Sequence, residues 1–470
     1  MSKQNKNIAL KNKLINLFEE KINLIFKNEP QYISNLRNQA IEKFYQLGFP
    51  TIKMEGWRNT DLTKALLKNY NHFFSSIQDN VNVEELFKCE IHNFDTDIVS
   101  FLNGFYVNGD SQLRTMPDGT VVGSLAKAFK QYPDIFEKYY NKNFQSDKNA
   151  FVALNTAFAQ DGLFIYVPDG VKVNKAIQMV SIINHNENLF IQNRNLIILG
   201  KNSKLTLVHC DDSINQQSSF NNSVTEIFVE ENANLDHYKL QNLNNDSTLI
   251  NSTFIHQKSG SNASTNSITL NGGLIRNDTF VKLNGQVCDA NVYGVYLMDK
   301  TQHIDNHVFI DHAEPNCSSN ELFKGILDED ATGVFNGHIL VRRDAQKTRA
   351  FQSNKNILLT DTASIDTQPF LEIYADDVKC GHGATVGQLD TEAMFYLRSR
   401  GITEANARLL LMYAFAAEVI NKISIKPLRD RIDDMVKKRL RGELSICDKC
   451  VLHCGSPEKE IHFDIDMSKV

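Results

Sequence analysis

Between residues 171 and 384 the chain carries one short β-rich run after another, and no useful length of it has helical periodicity. The runs include 177–183, 196–199, 205–208, 223–229, 253–256, 292–297 and 308–310, with Asn, Gly, Asp and Ser between them. Many short strands with frequent turn signals fit a sandwich, a barrel, a propeller or a β-helix. Asparagine at the turns favours the β-helix, because each coil of a solenoid turns sharply and stacks on the one before. No strict sequence repeat accompanies the pattern.

Both flanks read as helical. Leu10, Leu14, Ile15, Phe18, Ile22, Ile25 and Phe26 recur at helical spacing, and a second such pattern over 33–47 stops at Gly48. The only tryptophan, Trp57, follows a turn and is expected to anchor these helices onto the next layer. Residues 80–150 mix short strands (99–107), a turn at Pro117-Asp118-Gly119 and a helix over 124–132, and 154–168 reads as helix, tight turn and strand. The β region is expected to stop at a hinge, Cys380 to Thr385, after short strands at 369–375 and 377–380. Beyond it, Asp390 and Glu392 supply a cap and an acid for the first turn of a helix, and Gly401 fits the left-handed position that closes it. A second helix opens at Thr403 and aligns Leu409, Met412, Phe415, Ala416, Val419 and Ile423. A third, over 427–441, has Pro427 in its first turn, Gly442 after its end, and alternating charges that suit either solvent or another subunit. The expected divisions are an α-rich N-terminal domain (1–150), a β-helix (151–387), a helical C-terminal domain (388–445) and a cysteine-rich tail (446–470).

A net charge of −6 gives the chain no attraction for a nucleic-acid backbone. Residues 1–13 are polar and basic without an apolar core, so no secretory signal is expected, and the apolar run 409–417 is too short to span a bilayer. Eight cysteines, scattered except near the end, do not make a disulfide scaffold and point to a reducing cytoplasm. Neither a Gly-x-x-x-x-Gly-Lys-Ser/Thr loop nor a strand followed by Gly-x-Gly-x-x-Gly occurs, so chemistry driven by a bound nucleotide is not encoded here.

Pro369-Phe370-Leu371-Glu372, Cys380-Gly381-His382-Gly383-Ala384-Thr385 and Phe395-Tyr396-Leu397-Arg398-Ser399-Arg400-Gly401-Ile402 together resemble the SufB/SufD family. These are scaffold subunits of the SUF iron–sulfur cluster assembly machinery. Glu55-Gly56-Trp57-Arg58, Thr60-Asp61-Leu62 and the 154–168 segment resemble further landmarks of that family, so the likeness covers nearly the whole chain. It implies a mainly β protein with α: a right-handed parallel β-helix core flanked by N-terminal and C-terminal helical domains. It also implies a non-catalytic subunit that pairs through the β-helix with a SufB-like homologue. A SufC-like ABC ATPase would dock on the helices over 390–441, and its ATP-driven movement would expose the interface where a nascent iron–sulfur cluster forms. SufB-like chains carry a cysteine just before the Pro-Phe/Tyr strand, and His-Glu-Ala-Thr where this chain has His382-Gly383-Ala384-Thr385. Here 363–367 contains no thiol, which puts the chain on the SufD side of the family.

Cys380 and His382 lie two apart, on one face if the segment is extended. A neutral imidazole can ligate iron, and a thiolate can ligate iron or carry sulfur. Residue types alone are equally served by a strand-end histidine bonded to backbone beside a buried thiol. The resemblance implies that His382 takes part in cluster formation opposite a cysteine of the partner, and leaves Cys380 open between core and functional thiol. His303, Asp305 and His307 also alternate and have the residue types of a metal site, although outward polar residues of a solenoid give the same pattern. Cys317 reads as structural. Near the end, Cys447, Cys450, His453 and Cys454 combine Cys-x-x-Cys spacing with two further soft ligands, a zinc or iron motif cramped into a short loop.

Two other functions fit the same pattern. A purely structural SufD would stabilise SufB without touching the cluster. A stand-alone β-helix enzyme acting on polysaccharide needs clustered carboxylates in a groove, and the dispersed aspartates offer no such pair. No residue pattern assigns a flavin, or separates the heterocomplex from two copies of this chain in isolation.

Overall fold

A computed structural model of the chain describes residues 3–26, 29–76, 95–107, 113–142 and 148–442. Cys447, Cys450, His453 and Cys454 lie outside these. Successive strands from Leu163–Val167 to Lys379–Gly387 go alternately to one or the other of two ten-stranded sheets. Neighbours in this run are parallel throughout, so the chain winds as a parallel β-solenoid of about eight turns, with helices before and after it. Each turn repeats the register of the last: Asp289, Ser318, Arg349 and Lys379 stand in one column.

Alternate residues point inward, as the pleat requires. Leu205, Leu207, Leu235, Ala263 and Val292 fill the space between the sheets, while Val208, Tyr238, Leu240, Ile268 and Val295 face outward. The middle of the interior is polar. Lys239 Nζ lies 3.3 Å from Asp211 and 2.6 Å from the Asn251 side-chain oxygen, and Gln241, Thr269, Asn277 and Asn306 hydrogen-bond from turn to turn. Buried amides and hydroxyls persist there because stacked rungs satisfy one another.

Helices cover both outer faces. Leu14, Phe18, Phe44, Phe151 and Phe158, from Lys3–Ile25, Gln31–Leu47 and Ala150–Phe158, pack onto Phe190, Phe220 and Ile250 of one sheet. On the other sheet, Glu404–Ile420 and Lys426–Leu440 bury Met412, Ala416, Val419, Ile432, Met435 and Val436, each side chain larger than alanine worth roughly 1.5–3 kcal/mol if fully withdrawn from water. Tyr238 shares a 2.9 Å hydrogen bond with Ser424, and Arg439 reaches Asp299, so polar contacts fix the helical layer in place. The expected helix signals hold. Asp390 caps Thr391–Ser399, Thr403 caps Glu404–Ile420, and Gly401 takes φ +85°.

The two ends of the solenoid differ. At the first, Thr96–Leu102 with Phe105–Tyr106, and Leu113–Thr115 with Val121–Ser124, add short strands that finish each sheet with an antiparallel pair. At the last, among the described residues, no strand lies beyond Ser364–Ile373 or Lys379–Gly387. Pro369 sits in one of these edge strands, where a sheet tolerates a missing N–H. The expected hinge is not a break. Cys380 to Thr385 lie inside Lys379–Gly387, in unbroken register with Arg349–Leu358. The strand expected from Asp377 begins at Lys379, and the one expected from Pro369 begins at Ser364. The glycines that read as a hinge instead leave a terminal strand bare.

Candidate functional site

Along Arg349–Leu358, Ala350, Gln352, Asn354 and Asn356 are buried, whereas Arg349, Phe351 and Lys355 are exposed. Pairing of Ala350 with Cys380, Gln352 with His382 and Asn354 with Ala384 carries the inward face into the final strand. Cys380 and His382 therefore share the inner line of the last rung, where the interior opens to solvent. His382 is exposed there, and Cys380 is half-buried against Ile339, Val341, Ala350 and Ala375. Among the described residues their outer side is open: a Cβ on Gly383 would meet nothing within 4 Å, and one on Gly381 only Phe351 at 3.6 Å. Packing among the described residues does not demand either glycine. Burial raises the Cys380 thiol above its ordinary value, against a weaker pull from the Ala350 backbone, so it carries its proton at neutral pH.

One rung deeper, Gln352 Nε2 donates to Glu321 Oε2 at 2.8 Å. Glu321 is fully buried, which pushes its carboxyl up to about 8 despite that hydrogen bond. It is neutral at pH 7. Beside it, the Tyr296 hydroxyl donates to Asn356, and Asn354 accepts from Asn356 and Thr367. Around the mouth Phe351, Phe370, Ile373, Tyr374 and Val386 are exposed. Apolar side chains beside two unpaired strand edges mark a surface made to be covered.

His303, Asp305 and His307 lie on the outer face of His303–His312, but not in solvent. The segment around Trp57 covers them. Asp305 Oδ2 accepts from the Thr60 hydroxyl at 2.6 Å and from Arg276 at 2.7 Å, and His307 Nε2 lies 2.9 Å from Oδ1. Arg276 also meets Asp278 and the Gly56 carbonyl, and its guanidinium stands 3.8 Å from the centre of the Trp57 ring. Burial alone would raise the Asp305 carboxyl. Arg276, helped by His307 and Thr60, outweighs it and holds the group ionised far below the usual carboxylate range. His303 bridges Thr60 and Thr332. The triplet thus fastens the N-terminal segment to the solenoid, with Trp57 as the expected anchor, 5.5 Å from the Phe151 ring. Among the described residues no group of three or more His, Cys, Asp or Glu side chains is placed to hold a metal ion.

Cys317 is buried, as a structural residue would be. It and Cys288 begin neighbouring turns and both donate to the Gly285 carbonyl, at 3.2 and 3.1 Å. Sequence reasoning passed over Glu321 and Gln352. Their one signal was spacing, Glu321 standing 31 residues before Gln352 and Gln352 30 before His382, which is meaningful only once the length of a turn is known. Among the described residues no helix is long and apolar enough to cross a membrane.

The sequence matches the family model for the SUF system FeS cluster assembly SufBD core domain over residues 181–415, and that for the SufBD protein N-terminal region over 8–179. It is 30% identical over 421 residues to the iron–sulfur cluster assembly protein SufD of Escherichia coli K12, covering 89% of this chain and 96% of that one. To SufD of Bacillus subtilis 168 it is 26% identical over 432 residues, covering 88% and 95%. An iron–sulfur cluster assembly SufBD family protein of Synechocystis is 29% identical over 425 residues, covering 88% and 93%. Matches along nearly its whole length mean that the chain belongs to the SufBD family of iron–sulfur cluster assembly proteins, with relatives named SufD among those that cover most of it.

Proposed function

We propose that this chain is the SufD-type, non-catalytic subunit of a cytoplasmic SUF scaffold that builds and transfers nascent iron–sulfur clusters. The observation that carries the reading is His382, exposed on the last inward rung with bare glycines on both sides. A SufB-like homologue joins the open end, adding its own strands to Ser364–Ile373 and Lys379–Gly387 and covering Phe351, Phe370 and Val386. Its thiolate then faces the His382 imidazole, and iron and sulfide collect between them as the cargo of the assembly. Cys380 becomes a ligand or sulfur carrier only after losing its proton.

A SufC-like ATPase docks on the C-terminal helical layer. Thr391–Ser399 supports this, since it buries none of its residues and exposes Phe395 and Tyr396. Nucleotide-driven motion of that subunit opens the shared interface. The test is anaerobic purification of the tagged chain from its own cells, with every co-purifying subunit identified and counted. Recovery in fixed ratio of an ATP-binding subunit and a homologue with a cysteine before its Pro-Phe/Tyr strand is expected. Recovery of a lone chain or a homodimer contradicts the proposal.

A further inference from the structure

Behind His382 runs a polar column that the reading above leaves unused. Register stacks Glu321 on Gln352 and Gln352 on His382, at the spacing of about 4.8 Å that parallel strands impose. Val292 closes the column from within. Glu321 and Gln352 are 0% and 3% exposed, so their polar atoms find partners inside the protein or go without. The Gln352 amide N–H is taken by Glu321. The Gln352 side-chain oxygen has no hydrogen-bond partner among the described residues. On the next rung outward stands an imidazole, whose ring N–H can be given to such an acceptor.

Two features hold the amide in this orientation. Glu321 offers an accepting oxygen on the inner side, which even a protonated carboxyl retains, so the amide nitrogen is held inward and its oxygen is left without a partner. Gly337, on the facing sheet, makes the room: a Cβ there would fall 2.0 Å from Gln352 Nε2. We infer that Gln352, oriented by Glu321, is a positioning residue for His382, accepting one ring N–H and so presenting the lone pair of the other nitrogen at the open end of the solenoid. Ligating histidines are commonly fixed in tautomer and direction by such a partner. The inference rests on reading His382 as the group that faces iron.

The test reads the tautomer directly, without iron. The full chain is labelled with 15N in its imidazoles, and long-range 1H–15N correlations are recorded above the histidine titration range. His382 is assigned by the signal lost in His382→Ala. One neutral tautomer is expected to dominate in the unaltered chain. In Gln352→Leu the tautomer ratio should change roughly five- to tenfold, the worth of one net hydrogen bond. Glu321→Leu, which lets the amide turn over, should do the same, whereas Glu321→Gln keeps an accepting oxygen and should preserve the ratio. An unchanged ratio in Gln352→Leu overturns the inference. So does a Glu321→Gln variant as scrambled as Glu321→Leu, because packing alone would then account for the effect. If Gln352→Leu does not fold, Gly337→Ala displaces the amide while keeping both polar residues, and the same shift is required of it. Cluster assembly does not enter this measurement, so a failure here is distinguishable from a failure of the role given to His382.

Discussion

His303-Asp305-His307 and Cys380-His382 share one sequence pattern, polar ligand types at alternate positions of a strand, and the fold uses them in opposite ways. The first set lies on the outer face of a middle turn. A neighbouring segment lies over it, and Arg276, Thr60 and Thr332 occupy its polar atoms. The second lies on the inner line of the last turn, with no strand beyond it among the described residues. Alternation tells only that residues share a face. Which face it is, and what covers it, depends on where the turn falls in the stack. A set held by neighbours within the chain is structural, whereas one exposed at the edge of the stack is free to meet another molecule.

Substitutions should separate the two regions, and the largest effect belongs to the covered one. Arg276→Ala leaves Asp278 and Asp305 buried without their cation and should cost about 3–5 kcal/mol of unfolding free energy in urea titration. His382→Ala in the same experiment should cost less than about 0.5 kcal/mol, as an exposed site does. Equal losses would erase the distinction.

Next comes the column behind His382, through pH. Folded Glu321 holds its proton up to about pH 8, whereas the same residue unfolded gives it up near its ordinary value of 4.5. The native chain therefore loses stability as pH rises through that window. Glu321→Gln, which cannot ionise, should match it below pH 4 and exceed it by on the order of 4 kcal/mol at pH 8. A constant difference across the range would mean that the carboxyl is already ionised in the core.

Trp57→Ala should cost about 1–2 kcal/mol by removing the ring beneath the Arg276 guanidinium, and should cost much less when Arg276 is already gone. The smallest change in stability is expected at the mouth. Val386→Lys, on an exposed rim, should shift unfolding by less than about 0.5 kcal/mol while reducing recovery of the homologous partner subunit.

Much of the fold was legible because strands such as Ala176–Ile183 and Asp289–Met298 are apolar enough to be recognised in any context. Strands such as Asn262–Asn271 and Arg349–Leu358 were not. Their inward faces carry Thr, Asn and Gln that bond from rung to rung, so the apolar alternation that signals a strand is missing. The helix caps at Asp390 and Thr403 were legible because capping is local chemistry. The strand through Cys380 and His382 was read as a hinge, since two glycines in six residues say loop when the parallel neighbour thirty residues earlier is unseen. Likewise Asp305 could be assigned a pattern but not a partner, because Arg276 and Thr60 reach it from distant parts of the chain.

The most direct test of the central claim is cluster formation by the intact complex carrying His382→Ala. Iron and sulfide are supplied anaerobically, and the cluster absorbance per complex is compared with that of the unaltered assembly. A loss of roughly tenfold or more, with subunit ratio and unfolding midpoint unchanged, is what a ligand at the open rung predicts. Full cluster yield from the variant complex would contradict it.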